Sequence, residues 1–465
     1  MLSFLLTPLY VTTLPSTDEF GRVSIIFAWF AIFNVILAYG METAFFRFFH
    51  KADNKENVVT TSLISIAGST VIFLVLAFIF QSFLADITEI DLKYIRYTII
   101  ILALDALVII PFAWLRAKEK PMRYAWIKVA NVAINLGLNV FFLMLLPKAV
   151  ASNPDGFLSS IYKPNFEISY IFISMLLASG ITLLIMLRLY IRKNYVFDTN
   201  LWKKMLAYAM PVMIAGIAYT INEVFGRIML KKLLPEAIAE GKIGEYSACL
   251  KIAVFMTLFA TAFRMGIEPF FFSHAKEENP QKTYAQITNY FVILGSIILL
   301  TVIVFADVLK LFIVPDETYW EAMKVVPLII LSAFFLGIYH SLSVWYKITD
   351  RTKFGAYISV FGAAITIVIN YFFIPKIGYL ASAIATLAAY GSMMILSFSF
   401  GKKYYPVPYN MRKIVFYLSV SILFSAISFY GFRAHFFVGA GLLIVFLGMV
   451  YKLENDKLKK IFLKK

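Results

Sequence analysis

Asp105 stands in the middle of an otherwise apolar run, LALDALVII. A carboxylate at membrane depth is costly unless it faces a cavity or a partner, so it supports either of two roles. It can couple to protons or sodium or contact a substrate, or it can accept a hydrogen bond from a neighbouring helix. Lys128, Asn131, Asn135 and Asn139 follow at three- and four-residue spacing. At about 100° per residue they fall in an arc of about 80° on one helix face. Such a stripe offers donors to sugar hydroxyls or phosphates across a wet cavity. The same amides can instead tie helices together, at roughly 0.6 kcal/mol each. Asn139 recurs as Asn370 beside a loop, which points to a helix-end role for it.

Further ionisable residues interrupt other apolar runs. Glu223 and Arg227 stand four residues apart next to Asn222, close enough on a helix to pair. Arg264 and Glu268 repeat that spacing, Lys251 lies nearer the start of the same run, and Glu42 with Arg47 ends an earlier one. End positions can snorkel, which gives Lys251, Arg47 and Glu268 a structural reading. Arg264 lies deeper and is the best candidate for holding an anionic headgroup, because a guanidinium binds phosphate bidentately and stays charged. The substrate-cavity candidates are Arg264, Lys128, Asn131, Asn135, Arg227 and Lys251; the coupling candidates are Asp105, Glu223, Glu42 and Glu268.

The elements that must position these groups follow from composition. With 61% hydrophobic and 15% charged residues over 465, the chain has too little polar surface to coat a water-soluble globule. Helices of about 20 apolar residues cross a bilayer. Such runs lie near 23–46, 59–85, 95–115, 124–147, 168–190, 205–230, 246–273, 286–306, 324–346, 354–374, 379–400, 413–431 and 434–451, after a short stub at 1–14. The expected fold is therefore an all-α polytopic membrane protein of fourteen transmembrane helices, the first apparently truncated. That stub is either re-entrant or the end of a helix whose opening ~20 residues are absent. Lys and Arg number 27 in the loops on one side and 11 on the other, which places both termini in the cytoplasm. The +16 net charge is thus spread over loops, not gathered on a nucleic-acid-binding face.

Other chemistries lack their residues. The lone Cys249 and the scattered His50, His274, His340 and His435 have no ligand spacing, and no phosphate-binding glycine loop is present, so no metal or cofactor is expected. The outer loops are short, which leaves little room for an extramembrane catalytic domain.

The stretch Glu19 to Phe46 recurs without a gap from Glu245: Glu19/Glu245, Gly40/Gly266, Glu42/Glu268 and Phe45/Phe271 share one offset. Trp114, Glu119, Lys120 and Asn139 recur as Trp345, Asp350, Arg351 and Asn370. Corresponding spans lie six apart, so the repeats point the same way through the membrane. The expected divisions are an N-terminal lobe at 1–195, a C-terminal lobe at 196–404, and two further helices with a basic tail at 405–465.

The opening FLLTPLYVTTLPSTDEFG, then YGMETAFFRFF, resembles the N-terminal signature of bacterial polysaccharide biosynthesis membrane proteins, the Wzx-type O-antigen and teichoic-acid exporters. Their superfamily also holds MurJ and the MATE antiporters. The loop from Trp345 to Lys353 and the segment NYFFIPKIGYLASAIAT extend the resemblance over nearly the whole chain. It implies two six-helix lobes around a cavity, in the bacterial inner membrane. The implied activity is flipping a polyprenyl-diphosphate-linked oligosaccharide to the outer leaflet, with membrane lipids and other polysaccharide-assembly proteins as partners. Of the family's cationic cavity residues, Arg264 is the position that transfers. Two other functions compete: a MATE-like cation-coupled drug antiporter, against which Lys128 and Arg264 argue, and a membrane polymerase or glycosyltransferase. The last would depend on outer-loop carboxylates such as Asp155, Glu167, Asp316 and Glu317.

Overall fold

The computed structural model describes residues 2–191, 194–273, 278–349, 351–433 and 435–462; Asp350 and the side chain of Glu268 lie outside the described residues. The fold is all-helical, with no strand among the described residues. Among the described residues thirteen helices are long and apolar enough to cross a bilayer, and a shorter apolar helix, Phe4–Thr13, stands where the stub was expected. The chain divides into two compact units, Leu2–Gly244 and Glu245–Lys465.

In the first unit the elements are α1 (Thr7–Thr13), α2 (Thr17–Ala38), α3 (Met41–Lys51), α4 (Lys55–Ile79), α5 (Gln81–Thr88), α6 (Leu92–Leu107), α7 (Ile109–Ala117), α8 (Pro121–Val140), α9 (Leu146–Ser152), α10 (Glu167–Ile191), α11 (Thr199–Leu233) and α12 (Glu236–Cys249). Helix α11 packs on α2, α3 and α4, while α10 packs on α6 and α8. Phe45, Leu63, Ile66 and Met205 lie in the resulting core.

Local chemistry sets the breaks. Ser16 caps α2 by accepting from the Glu19 backbone N–H at 3.4 Å, and Asp18 and Glu19 in the first turn suit the helix dipole. The helix ends where Tyr39 (φ 31°) and Gly40 (φ 71°) turn left-handed. In the first turn of α7, Pro111 has no N–H to give the Leu107 carbonyl at the end of α6, four residues back. The Tyr190 hydroxyl donates to that carbonyl instead, at 2.7 Å. Where α12 crosses α2, a Cβ on Gly21 would lie 1.9 Å from the Glu240 carbonyl oxygen, and one on Gly244 would lie 2.0 Å from that of Thr17. Only glycine lets these backbones approach so closely.

Gly40 and its repeat twin Gly266 have different structural tasks. A Cβ on Gly40 would lie 2.4 Å from the Ala209 carbonyl oxygen of α11, whereas one on Gly266 meets nothing within 4 Å. Gly40→Ala should therefore cost about 2 kcal/mol or more, from left-handed strain plus displacement of α11. Gly266→Ala should be neutral or stabilising by up to about 1 kcal/mol, since alanine is the better helix former. Thermal unfolding of the two variants in detergent checks this; equal melting temperatures would contradict it.

The second unit comprises α13 (Val254–Ser273), α14 (Pro280–Val304), α15 (Ala306–Ile313), α16 (Val326–Leu342), α17 (Val344–Ile348), α18 (Lys353–Ile377), α19 (Tyr379–Tyr404), α20 (Met411–Ala426) and α21 (Phe436–Phe462). Helix α16 packs on α13, α14 and α19, and α14 also meets α20 and α21. Burial tends to raise the Asp307 carboxyl, but Arg433, bonding both oxygens at 2.8 and 2.9 Å, and Lys310 together hold it below the usual carboxylate range.

Asn139 stands in the last turn of α8, at a helix end as expected, whereas Asn370 stands inside α18. Asn139 is fully buried, accepts from the Tyr10 hydroxyl at 3.0 Å, and donates to the Asn135 carbonyl at 2.8 Å. Asn370 likewise accepts from the Ser382 hydroxyl at 2.6 Å and donates to the Thr366 carbonyl at 2.7 Å. Each amide ties its helix to another segment, because a buried amide must find partners for both its ends.

Candidate functional site

The first unit encloses a cavity of about 620 Å³. Its wall is assembled from α2 (Asn34), α3 (Glu42), α6 (Asp105), α7 (Phe112, Arg116), α8 (Tyr124, Lys128, Asn131, Asn135), α10 (Ser179, Thr182) and α11 (Thr220, Glu223). It reaches from the middle of these helices to the end marked by Glu42, Arg116 and Tyr124.

Hydrogen bonds fix several of these groups. The Ser179 hydroxyl donates to Asp105 Oδ1 at 2.7 Å. Thr182 gives its proton to the Ala178 carbonyl at 2.8 Å, so it must accept from Asn131 Nδ2, 2.9 Å away. That orients the Asn131 amide. Asn135 is oriented from behind, its Oδ1 accepting from Asn139 Nδ2 at 2.9 Å.

The charges have different partners. Arg116 is ion-paired with Glu42, and its guanidinium stands 4.8 Å from the Phe46 ring centre and 5.3 Å from that of Tyr124. Lys128 Nζ lies 4.1 Å from the centre of the Phe112 ring and near enough to Asp105 for the two charges to interact. The wall thus carries three carboxylates (Glu42, Asp105, Glu223) against two cations (Arg116, Lys128), so this cavity is not net-positive.

Of the residues singled out in the sequence, six meet here: Lys128, Asn131, Asn135, Asp105, Glu223 and Glu42. Arg227, half-buried one turn beyond Glu223, is not on the wall. Lys251 and Arg264 belong to the second unit; Arg264 Nη1 lies 3.5 Å from His340 Nε2 on α16. Glu268 cannot be placed, because its side chain lies outside the described residues. Sequence reasoning passed over Asn34, Arg116, Ser179, Thr182 and Thr220. Asn34 met the criterion that found Asp105, a polar residue deep in an apolar run. Arg116 ends such a run and so reads as a loop cation.

At the other end of α2 a second cavity, of about 470 Å³, lies among charges. Glu240 of α12 binds Arg22 at 2.6 Å and Lys231 of α11 at 2.8 Å, and Lys232 pairs with Glu89.

A polar cavity walled by membrane-spanning helices defines a multi-pass membrane protein of transporter type. The profile of the family described as polysaccharide biosynthesis protein matches residues 1–254, and the chain belongs to that family. The MatE profile matches residues 211–372. No curated protein matches the chain in sequence. Among solved structures, the lipid II flippase MurJ in an inward closed conformation is similar at TM-score 0.74 and 14% identity, covering 97% of this chain and 96% of that one. An inward-facing multidrug resistance MATE transporter of the MOP superfamily follows at 0.67 and 14%, covering 90% and 96%. A MOP-superfamily transporter from Pyrococcus furiosus follows at 0.60 and 13%, covering 89% and 94%. At such identities the likeness is one of fold.

Proposed function

We propose that the protein carries a polyprenyl-diphosphate-linked oligosaccharide from the cytoplasmic to the outer leaflet of a bacterial inner membrane, for cell-surface polysaccharide such as O-antigen. The observation that carries this reading is the amide-, hydroxyl- and cation-lined cavity in a membrane chain of a polysaccharide biosynthesis family. Asn34, Asn131, Asn135 and Thr220 suit sugar hydroxyls; Lys128 and Arg116 suit the diphosphate. About 620 Å³ is room for a headgroup of a few rings, so the polyprenyl tail stays in lipid. Without such a site, moving a charged sugar headgroup through hydrocarbon is prohibitive.

The excess of loop cations assigns the Arg116 end to the cytoplasm and both termini with it. Transport then proceeds by alternating access of the two repeats, lobes 1–195 and 196–404, with 405–465 appended. Asp105 and Glu223 are the coupling carboxylates, and Glu42 and Glu268 stand in reserve for that role. The relatives' titles agree in kind: one names a lipid II flippase, another a multidrug transporter.

The test is mass spectrometry of lipid retained by the purified protein, joined to complementation of a strain lacking its own exporter. A retained polyprenyl-diphosphate glycan with restored surface polysaccharide supports the reading; the absence of both would refute it. We further propose Arg264 and Lys251 of the second unit, and Arg227 of the first, as cations of the pathway. Arg264→Ala should abolish complementation while folded protein persists in the membrane, and full activity in that variant would remove it from the site.

One observation favours a second reading. Three carboxylates against two cations would suit a cation-coupled antiporter of organic cations. Sodium- or proton-dependent efflux of a cationic dye, with no glycolipid retained, would decide for it.

A further inference from the structure

A groove of about 270 Å³ lies away from the central cavity, where α7, α8 and α10 meet. Trp114 and Leu115, Arg123, and Ile185, Arg188 and Leu189 line it. Arg123 is in the first turn of α8 and Arg188 in the last turn of α10, so two guanidiniums share one end of the bundle. Both are exposed, and neither has a hydrogen bond or ion pair to another described residue. Their surroundings are those of a membrane boundary. Trp126, one turn from Arg123, is 67% exposed, and Leu184, one turn before Arg188, is 68% exposed. An exposed tryptophan beside arginines at span ends is the composition of the headgroup region.

We propose that this groove binds one anionic phospholipid of the surrounding bilayer. Arg123 and Arg188 clasp the phosphate, and an acyl chain lies along Trp114, Leu115, Ile185 and Leu189. Guanidinium pairs favour phosphate geometry, and the apolar wall requires an amphiphile. A free phosphate offers the same anion without the chain, and the experiment separates the two.

The full-length protein in detergent is titrated with phosphatidylglycerol, phosphatidylcholine or inorganic phosphate and followed by native mass spectrometry. One tightly retained phosphatidylglycerol is expected, with phosphatidylcholine retained far less and inorganic phosphate unable to displace it. The double variant Arg123→Gln/Arg188→Gln should weaken retention roughly thirtyfold. Arg412→Gln, at an exposed arginine on α20, should change nothing. Equal retention by the wild type and the double variant would overturn the proposal. So would equal retention of phosphatidylcholine, or displacement by phosphate.

Discussion

Replacing Lys128 with alanine is expected, if the chain carries the proposed glycolipid, to slow its transport by at least about a hundredfold while folded protein still accumulates in the membrane. Arg116 is already engaged by Glu42, so Lys128 is the cation on the cavity wall with no ion pair at contact distance among the described residues. A charge pair about 4 Å apart at an effective dielectric near 20 is worth about 4 kcal/mol, and some of that survives desolvation. Loss of the ammonium also leaves Asp105 and Glu223 facing a diphosphate with nothing between, which adds repulsion. Lys128→Arg should recover part of the rate, because it keeps the charge but changes its reach past Phe112. Accumulation of the substrate in the cytoplasmic leaflet, measured against protein abundance, reads the effect. Undiminished transport in the alanine variant would show that the diphosphate is held elsewhere.

The thirteen long spans were legible because lipid allows few alternatives: a run of about 20 apolar residues has to become a helix. The stripe on α8 was legible for a similar reason, since helical periodicity places Lys128, Asn131 and Asn135 on one face. Periodicity gives direction around a helix but not what stands opposite. Asn139 shares the arc, yet Tyr10 of α1 meets it and closes it off from the cavity. Likewise Glu223 and Arg227, one turn apart, part company: only Glu223 reaches the wall.

Tertiary folding supplied what spacing could not. Arg116 bends back from a span end to Glu42, a residue 74 positions away. The repeat could not tell Gly40 from Gly266, for an aligned pair of glycines says nothing about which one a neighbouring backbone touches.

Glu240→Gln carries the second large effect, at the opposite end of α2. Glu240 is the common partner of Arg22 and Lys231, and the Lys231 side chain is only 8% exposed. Removing the carboxylate leaves a shielded ammonium without its counter-charge, and breaking such a pair costs about 3–5 kcal/mol. That cost falls on the arrangement in which α2, α11 and α12 are drawn together, and not on one in which water reaches Lys231. If transport alternates, the variant should favour opening at this end. The lone cysteine, Cys249, is buried and donates to the Tyr319 carbonyl, a bond open to a serine hydroxyl, so Ile25→Cys in a Cys249→Ser background supplies a reporter at a position 3% exposed on the cavity wall. A membrane-impermeant maleimide should label it more than about tenfold faster when Glu240→Gln is added. Arg22→Gln should do much less, because its side chain is 47% exposed and its pairing with Glu240 is screened. A fall in melting temperature with unchanged labelling would mean that the ion pairs hold the helices together without gating them, and that the close glycine crossing of α2 and α12 alone keeps this end shut.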